Sequence, residues 1–333
     1  MNRIRSTVPV SVAALLIVVL AFSAAEAFES PPVTEPVRDT NGTVVGQAEI
    51  AQLGELEDPK INESSGLAFS RRSKDIIWTH NDSGDGPFLY AFDLAGRSRG
   101  TFAVERAPAY DWEDMAACEI DGVAHLIAAD IGDNKVARDF CTLYIVEEPE
   151  VGADISHTGK LSIVRRIDFQ YEDGKHDAEA IAVDADGASI YLITKKSKKN
   201  LPCHLYQLDI PSESTTNPVT ARIVCEVDIR KVVAMDISRD GSRMIVLTYD
   251  EALEFERAPD ESWGTAIQKP PRQLPMPWRA QGESICYGPD NDTLYLTSEN
   301  TPAPIWRVRT VPVSPAPAPA EENAEGAEPQ PQH

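Results

Sequence analysis

One position in a repeated phrase carries three glutamates and a serine. Ser65 opens SGLAF, Glu113 opens EDMAA, Glu179 opens EAIAV, Val233 opens VAMDI and Glu283 opens ESICY. Two positions earlier stand Glu63, Asp111, Asp177, Lys231 and Gln281, again mostly acidic. If the fold brings these positions to one point, the donors gathered there are all oxygen, with no thiolate or imidazole. That set suits a hard cation, calcium rather than zinc or copper. It also carries a penalty, because two unit charges ~6 Å apart at an effective dielectric of ~20 repel by about 3 kcal/mol. Either a cation offsets the repulsion or protons are taken up and some pKa values rise. In the plainer alternative these groups cap strand ends and line a wet channel.

A second apolar phrase follows each of these, and the residues closing it are also polar. They are His80, Asn81 and Asp82 in THNDSGDG, Asp130, Asp133 and Asn134 in ADIGDN, Lys195 and Lys196 in TKKSKK, Asp250 in TYDE, and Glu299 with Asn300 in TSEN. Lys195, with Arg138, is placed to receive an anionic group such as phosphate. Asn81, Asp82 and Asn134 would line the same pocket. Glu299 or Asp130 would serve as a base, with His80 as the one histidine in this set. The competing reading makes the lysine run 195–199 a solvated loop and His80 a hydrogen-bonding loop residue. The stretch Asp82–Gly86 lacks the spacing of an EF-hand and reads as a turn. No Gly-x-Ser-x-Gly elbow, Walker loop or His-Glu-x-x-His is present.

The elements that must position these residues follow from the spacing. Twelve residues after each phrase opens, a second strand starts, at Ile77, His125, Tyr191, Ile245 and Tyr295. Turn residues at 185–187, 239–241 and 289–291 lie between the two strands. Third strands follow in FLYAFDL, TLYIVEE, HLYQLDI, ALEFERA and PIWRVR, and fourth strands are expected near 101–104, 161–169, 221–227 and 265–273. A period of roughly fifty residues built this way predicts an all-β fold, a β-propeller of four-stranded blades. The last blade lacks a fourth strand, and residues 43–53 have the strand character to supply it. Five blades are expected, with six as the alternative if the interval from Glu113 to Glu179, 66 residues against 48 to 54 elsewhere, hides another copy. In such a fold every first strand starts beside the central channel, so the opening positions converge on one mouth.

Composition frames the rest. The run after Arg3 and Arg5, ending in Ala25-Glu26-Ala27, reads as a secretory signal over 1–27, with an uncleaved anchor as the alternative. Residues 28–41 read as a linker, 42–310 as the propeller, and 311–333, rich in Pro, Ala and Glu, as a disordered acidic tail. The expected location is extracytoplasmic, periplasmic or secreted, with no stable membrane span once the signal is cleaved, and the chain is expected to be a monomer. A formal net charge of −22 argues against nucleic acid as a partner. Of the five cysteines, Cys203 and Cys225 straddle an expected hairpin and are the candidates for a disulfide.

The phrases INESSGLAFS, WTHNDSG, DWEDMA, DIGDN and EAIAV resemble those of a group of uncharacterised exported bacterial β-propeller proteins, over most of 61–299. More distantly, the order Ser, Glu, Glu, a fourth position and Glu is similar to that of the soluble calcium-activated nucleotidases, or apyrases, five-bladed propellers with a calcium ion on the channel axis. That resemblance implies Ser65, Glu113, Glu179 and Glu283 as ligands. Val233 departs from it, since the nucleotidases carry a serine there, and their nucleotide-binding loops have no clear match. The expectation is therefore a calcium-binding propeller acting as a binding module for a small anionic ligand or an envelope or extracellular partner. The alternatives are a calcium-dependent hydrolase of phosphorylated small molecules, nucleotidase- or phytase-like, and an esterase or lactonase.

Overall fold

The computed structural model describes residues 29–82, 84–152, 157–195 and 203–311. The expected signal, the acidic tail from 312 on, and Lys196, Lys198 and Lys199 lie outside the described residues. The chain enters through β1 (Val33–Arg38) and β2 (Val44–Glu55). A first meander follows, β3 (Ser64–Phe69), β4 (Ile76–Asn81), β5 (Phe88–Asp93) and β6 (Ser98–Glu105). The second is β7 (Trp112–Ile120), β8 (Val123–Asp130), β9 (Cys141–Glu147) and β10 (His157–Tyr171). The third is β11 (Ala178–Val183), β12 (Ser189–Thr194), β13 (Cys203–Asp209) and β14 (Val219–Val227). The fourth is β15 (Val232–Ile237), β16 (Arg243–Thr248), β17 (Ala252–Glu256) and β18 (Arg272–Leu274), with the short helix α1 (Trp263–Ala266) before β18. The last runs β19 (Ser284–Tyr287), β20 (Thr293–Thr297) and β21 (Pro304–Val311).

Within each meander the strands pair antiparallel in sequence order, and tight turns join the first two. Gly187, Gly241 and Asn291 take positive φ of 65°, 70° and 62° in the turns that the sequence marks, a conformation open to glycine and tolerated by asparagine. First strands are buried along their length, as in β3 and β11. Outer strands such as β14 alternate between buried and exposed positions, the pattern of a sheet edge that faces water on one side.

The first strands close a ring: β3 packs on β7, β7 on β11, β11 on β15, β15 on β19, and β19 back on β3. Apolar side chains fill the wedges between neighbouring sheets. One wedge holds Trp78, Leu89 and Phe102 against Met115, Leu126 and Tyr144, and the next sets Ile127, Leu143 and Phe169 against Ile181, Leu192 and Tyr206. Polar side chains stitch the inner strands. Ser65 Oγ donates to the Glu113 carbonyl at 2.6 Å. Asp114 Oδ2 accepts from Ile181 N at 2.9 Å and its Oδ1 from Met115 N at 2.8 Å. Asp236 Oδ2 accepts from Tyr287 N at 2.8 Å. Adjacent first strands are too far splayed to form ladders with each other, so their inward N–H groups need such acceptors. The fold is a β-propeller.

The missing outer strand of the last meander comes from the N-terminus, as expected: β2 pairs antiparallel with β21 from Gln47↔Val311 to Glu55↔Pro304. Two expectations need correction. Residues 28–41 are more than a linker, because β1 lies within them, pairing with β2 and touching β18 at Arg38↔Gln273. β18 spans only 3 residues, and β1 covers the edges that it and β2 leave open. The candidate disulfide is not formed. The register sets Cys203 opposite Val227 and Cys225 opposite Leu205, so the two thiols are out of alignment.

Candidate functional site: the acidic channel mouth

One backbone bridge recurs at the mouth. A residue one or two positions past the end of a second strand donates its N–H to the carbonyl two positions before the ring residue: Asp82 to Glu63 at 2.9 Å, Gly132 to Asp111 at 3.2 Å, Lys195 to Asp177 at 2.8 Å and Glu299 to Gln281 at 3.0 Å. These bridges tie the start of each first strand to the end of the second, and so bring the polar residues of both phrases together.

Side-chain interactions then run along the mouth. Single carboxylate oxygens of Asp82, Asp111 and Glu113 all lie within 4.8 Å of one another. Glu113 shares a hydrogen bond with Glu179, whose Oε1 accepts from Lys195 Nζ at 2.7 Å. Lys195 Nζ sits 5.6 Å from the Tyr249 ring centre. Tyr249 OH donates to Glu283 Oε1 at 2.7 Å. Glu283 shares a hydrogen bond with Glu299, and the Asp82 charge also acts on Glu299.

Burial and crowding shift the acids upward. Burial, then the Asp82 and Asp177 charges, raises Asp111 to about 6. Burial, then Glu179, Asp82 and Asp111, pushes Glu113 well above the usual carboxylate range. Glu179 is also raised by burial, although Lys195 opposes the shift. The sense of the shared bond follows: Glu113 holds the proton and donates to Glu179, whose charge Lys195 balances. Burial and the neighbouring Glu283 raise Glu299 to about 8, so it too keeps its proton near neutral pH. Without a cation, the mouth meets its repulsion by taking up protons.

The oxygens of Asp82, Asp111 and Glu113 also suit a hard cation. Ions such as calcium take oxygens at roughly 2.4 Å, so two ligand oxygens stand at most about 4.8 Å apart. Gly132 backs this group. A Cβ there would collide with Glu113 Oε1 and Asp111 Oδ2, so the glycine keeps the space in which the two carboxylates meet. Of the four ligands expected from the sequence, Glu113 lies in this tight group and Glu179 beside it. Ser65 is engaged by the Glu113 carbonyl, and Glu283 by Tyr249 and Glu299.

The remaining candidates take more structural positions. His80 is fully buried, with Nδ1 2.8 Å from the Asn81 carbonyl and its ring edge-on to Trp112. Burial lowers its pKa, which keeps it neutral. Asn81 Oδ1 accepts from Asn62 N and Glu63 N, both at 3.2 Å. Its Nδ2 donates to the Lys60 carbonyl and to Asp85. Asp130 plays the matching part in the next meander, accepting from Tyr110 N and Asp111 N, and is paired with Arg138 Nη1 at 2.7 Å. Asn134 is exposed. Sequence reasoning passed over Tyr249 and Gly132 as site residues. Tyr249 follows the end of a second strand, which was a usable signal; the role of Gly132 depends on its loop folding back onto Asp111 and Glu113 and had none.

No protein family's sequence profile matches the chain, and no curated protein does. Among solved structures the chain is similar to a gluconolactonase of Xanthomonas campestris, at 10% identity over 85% of this chain and 98% of that one, with a TM-score of 0.47. It is also similar to hydrazine synthase of Kuenenia stuttgartiensis, at 8% identity over 83% and 82%, TM-score 0.40. A third is the Pan2 WD40 domain of Neurospora crassa, at 9% identity over 80% and 72%, TM-score 0.34.

Proposed function

We propose that this chain is an exported propeller acting as a binding module, and that its mouth holds a hard divalent cation, calcium by ligand chemistry. Asp82, Asp111 and Glu113 would hold the ion, with Glu179 at its edge. The observation that carries this reading is the meeting of those three carboxylates within 4.8 Å, over a glycine that leaves them room. When bound, the ion would neutralise the crowded acids and present a fixed positive centre to a ligand. The chain's own residues position it: the backbone bridges fix the carboxylates, and Asn81 and Asp130 hold the loops that carry Asp82 and Asp111.

The test is thermal unfolding in chelator, followed by added calcium. At 100 times the dissociation constant the ion should add about 2.7 kcal/mol, a rise of several degrees. An Asp111→Asn, Glu113→Gln double variant should lose that rise while still folding, since Glu113 is protonated in the ion-free state. No rise in the wild type, or an equal rise in the variant, refutes the proposal.

A hydrolytic reading draws on one observation. Glu299 keeps its proton near neutral pH, which suits a general acid rather than the base expected from sequence. Turnover of a phosphate ester or a lactone that disappears in Glu299→Gln would support it.

A further inference from the structure

Beside the mouth, the loop after β16 and the segment leading into β19 enclose a pocket of about 300 Å³, whose lining includes Tyr249, Asp250, Glu251, Trp278, Arg279 and Gly282. Two of these residues are unusual. Trp278 is 87% exposed, the most exposed large apolar side chain among the described residues. Arg279 has Nε and Nη1 buried without a hydrogen-bond partner among the described residues. Gly282 presses against its guanidinium, where a Cβ would collide with Nε and Nη2. The chain has 53 acidic residues against 31 lysines and arginines, and Asp250 and Glu251 line the same pocket, yet none of the described acids forms an ion pair with this guanidinium; Asp250 pairs with Lys231 instead. Burial lowers the Arg279 pKa to about 10, so it remains charged at neutral pH.

A buried charge without a partner is costly. A guanidinium fork matches the two oxygens of a carboxylate or phosphate, an exposed indole offers a flat apolar platform, and the volume suits a small-molecule group. We propose that Arg279 receives an oxyanion, carboxylate or phosphate, of a small ligand whose body lies on Trp278. Tyr249 lines this pocket and also donates to Glu283, so a ligand anchored here reaches the acidic mouth. The proposal names the ligand class of the binding mouth described above and rests on its being a binding site, but not on the cation.

The full chain is titrated in chelator with inorganic phosphate and, separately, with glucuronate, following tryptophan fluorescence and heat of binding. Saturable binding of either is expected, and the one that binds more tightly identifies the group. Arg279→Gln should weaken that binding at least about tenfold, and Trp278→Ala should weaken it and remove the fluorescence change. The melting temperature of Arg279→Gln should stay level or rise, because an unpaired buried charge is lost. The proposal is overturned if neither anion saturates the wild type, if Arg279→Gln binds both as the wild type does, or if it lowers the melting temperature, which would make the guanidinium a structural group. Such a failure alongside a calcium-dependent rise in stability would leave the cation reading standing.

Discussion

At the scale of single residues, burial and crowding raise the pKa of Asp111, Glu113 and Glu299 at the mouth. Glu299 has a folded pKa of about 8 against an unfolded value near the ordinary ~4.3. Its contribution to stability is therefore fully present below the unfolded value and lost as pH rises through about 8. Asp111, raised to about 6, adds a loss at lower pH. In chelator, stability should fall from about pH 5 to about pH 8.5, and Glu299→Gln should flatten the upper part of that fall. A denaturant series at several pH values measures it, and stability rising over that window would contradict the assignment. With calcium bound the same acids release protons, so calcium affinity should increase from pH 6 to 8, and the calorimetric heat should depend on the buffer's ionisation enthalpy. Gly132→Ala isolates the geometry. Its Cβ meets only flexible carboxylate ends, so the melting temperature should change little while calcium affinity drops at least about tenfold.

At the scale of elements, the inner strands depend on side chains that reach across to the next sheet. Asp114 on β7 accepts from Ile181 N on β11 and from its neighbour Met115 N. Asp114→Ala leaves these two N–H groups, and the more distant Met235 N at 3.4 Å, buried without their acceptor, each well-formed bond lost costing about 1–3 kcal/mol. Asp114→Asn keeps an acceptor and should cost clearly less, a ranking that urea midpoints would report. β1 is the less obvious element. It covers the open side of β2 and meets β18, so cutting the chain between β1 and β2 exposes unpaired edges while leaving the β2–β21 closure in place. The truncated protein should fold with a lower melting temperature and a concentration-dependent tendency to aggregate, seen by light scattering. An unchanged melting temperature would mean that β1 is dispensable.

At the scale of the whole molecule, the repeat decides where function concentrates and the charge decides what is drawn there. A chain with formal net charge −22 sets up a negative field that raises the local concentration of cations, and salt screens it. Calcium affinity should therefore fall as monovalent salt rises, beyond what competition at the site alone produces, and a flat salt dependence would argue against long-range attraction. Arg279 and Trp278 stand out against that field as a cationic, aromatic spot beside an acidic mouth. Among the described residues no helix is long and apolar enough to cross a membrane.

The propeller itself was legible in the sequence because its blade is a local object. Strand period, turn residues and the spacing of paired phrases are set within one repeat, so copies such as EAIAV with YLIT can be read one after another. The closure of β2 on β21 was legible too, from a count of strands: one meander was short and one N-terminal segment had no partner. The placement of Ser65, Glu113, Glu179 and Glu283 at or next to the starts of first strands followed from the same periodicity. Which partner each side chain takes did not, because that depends on how the loops fold back and on contacts between blades. Tyr249 turning onto Glu283 and Asp82 onto Glu113 join residues from different repeats, while Lys195 on Glu179 and Asp111 beside Glu113 over Gly132 meet within one repeat through the course of the loops, which strand spacing does not encode. The same holds for β1, whose weak strand pattern reads as a linker until the edges of β18 and β2 are in place. It holds also for Arg279, whose lack of a partner is a property of its surroundings in space. Local periodicity determined the scaffold and the positions that face the mouth; tertiary packing alone decided which charges meet, which hold protons and which are left for a ligand.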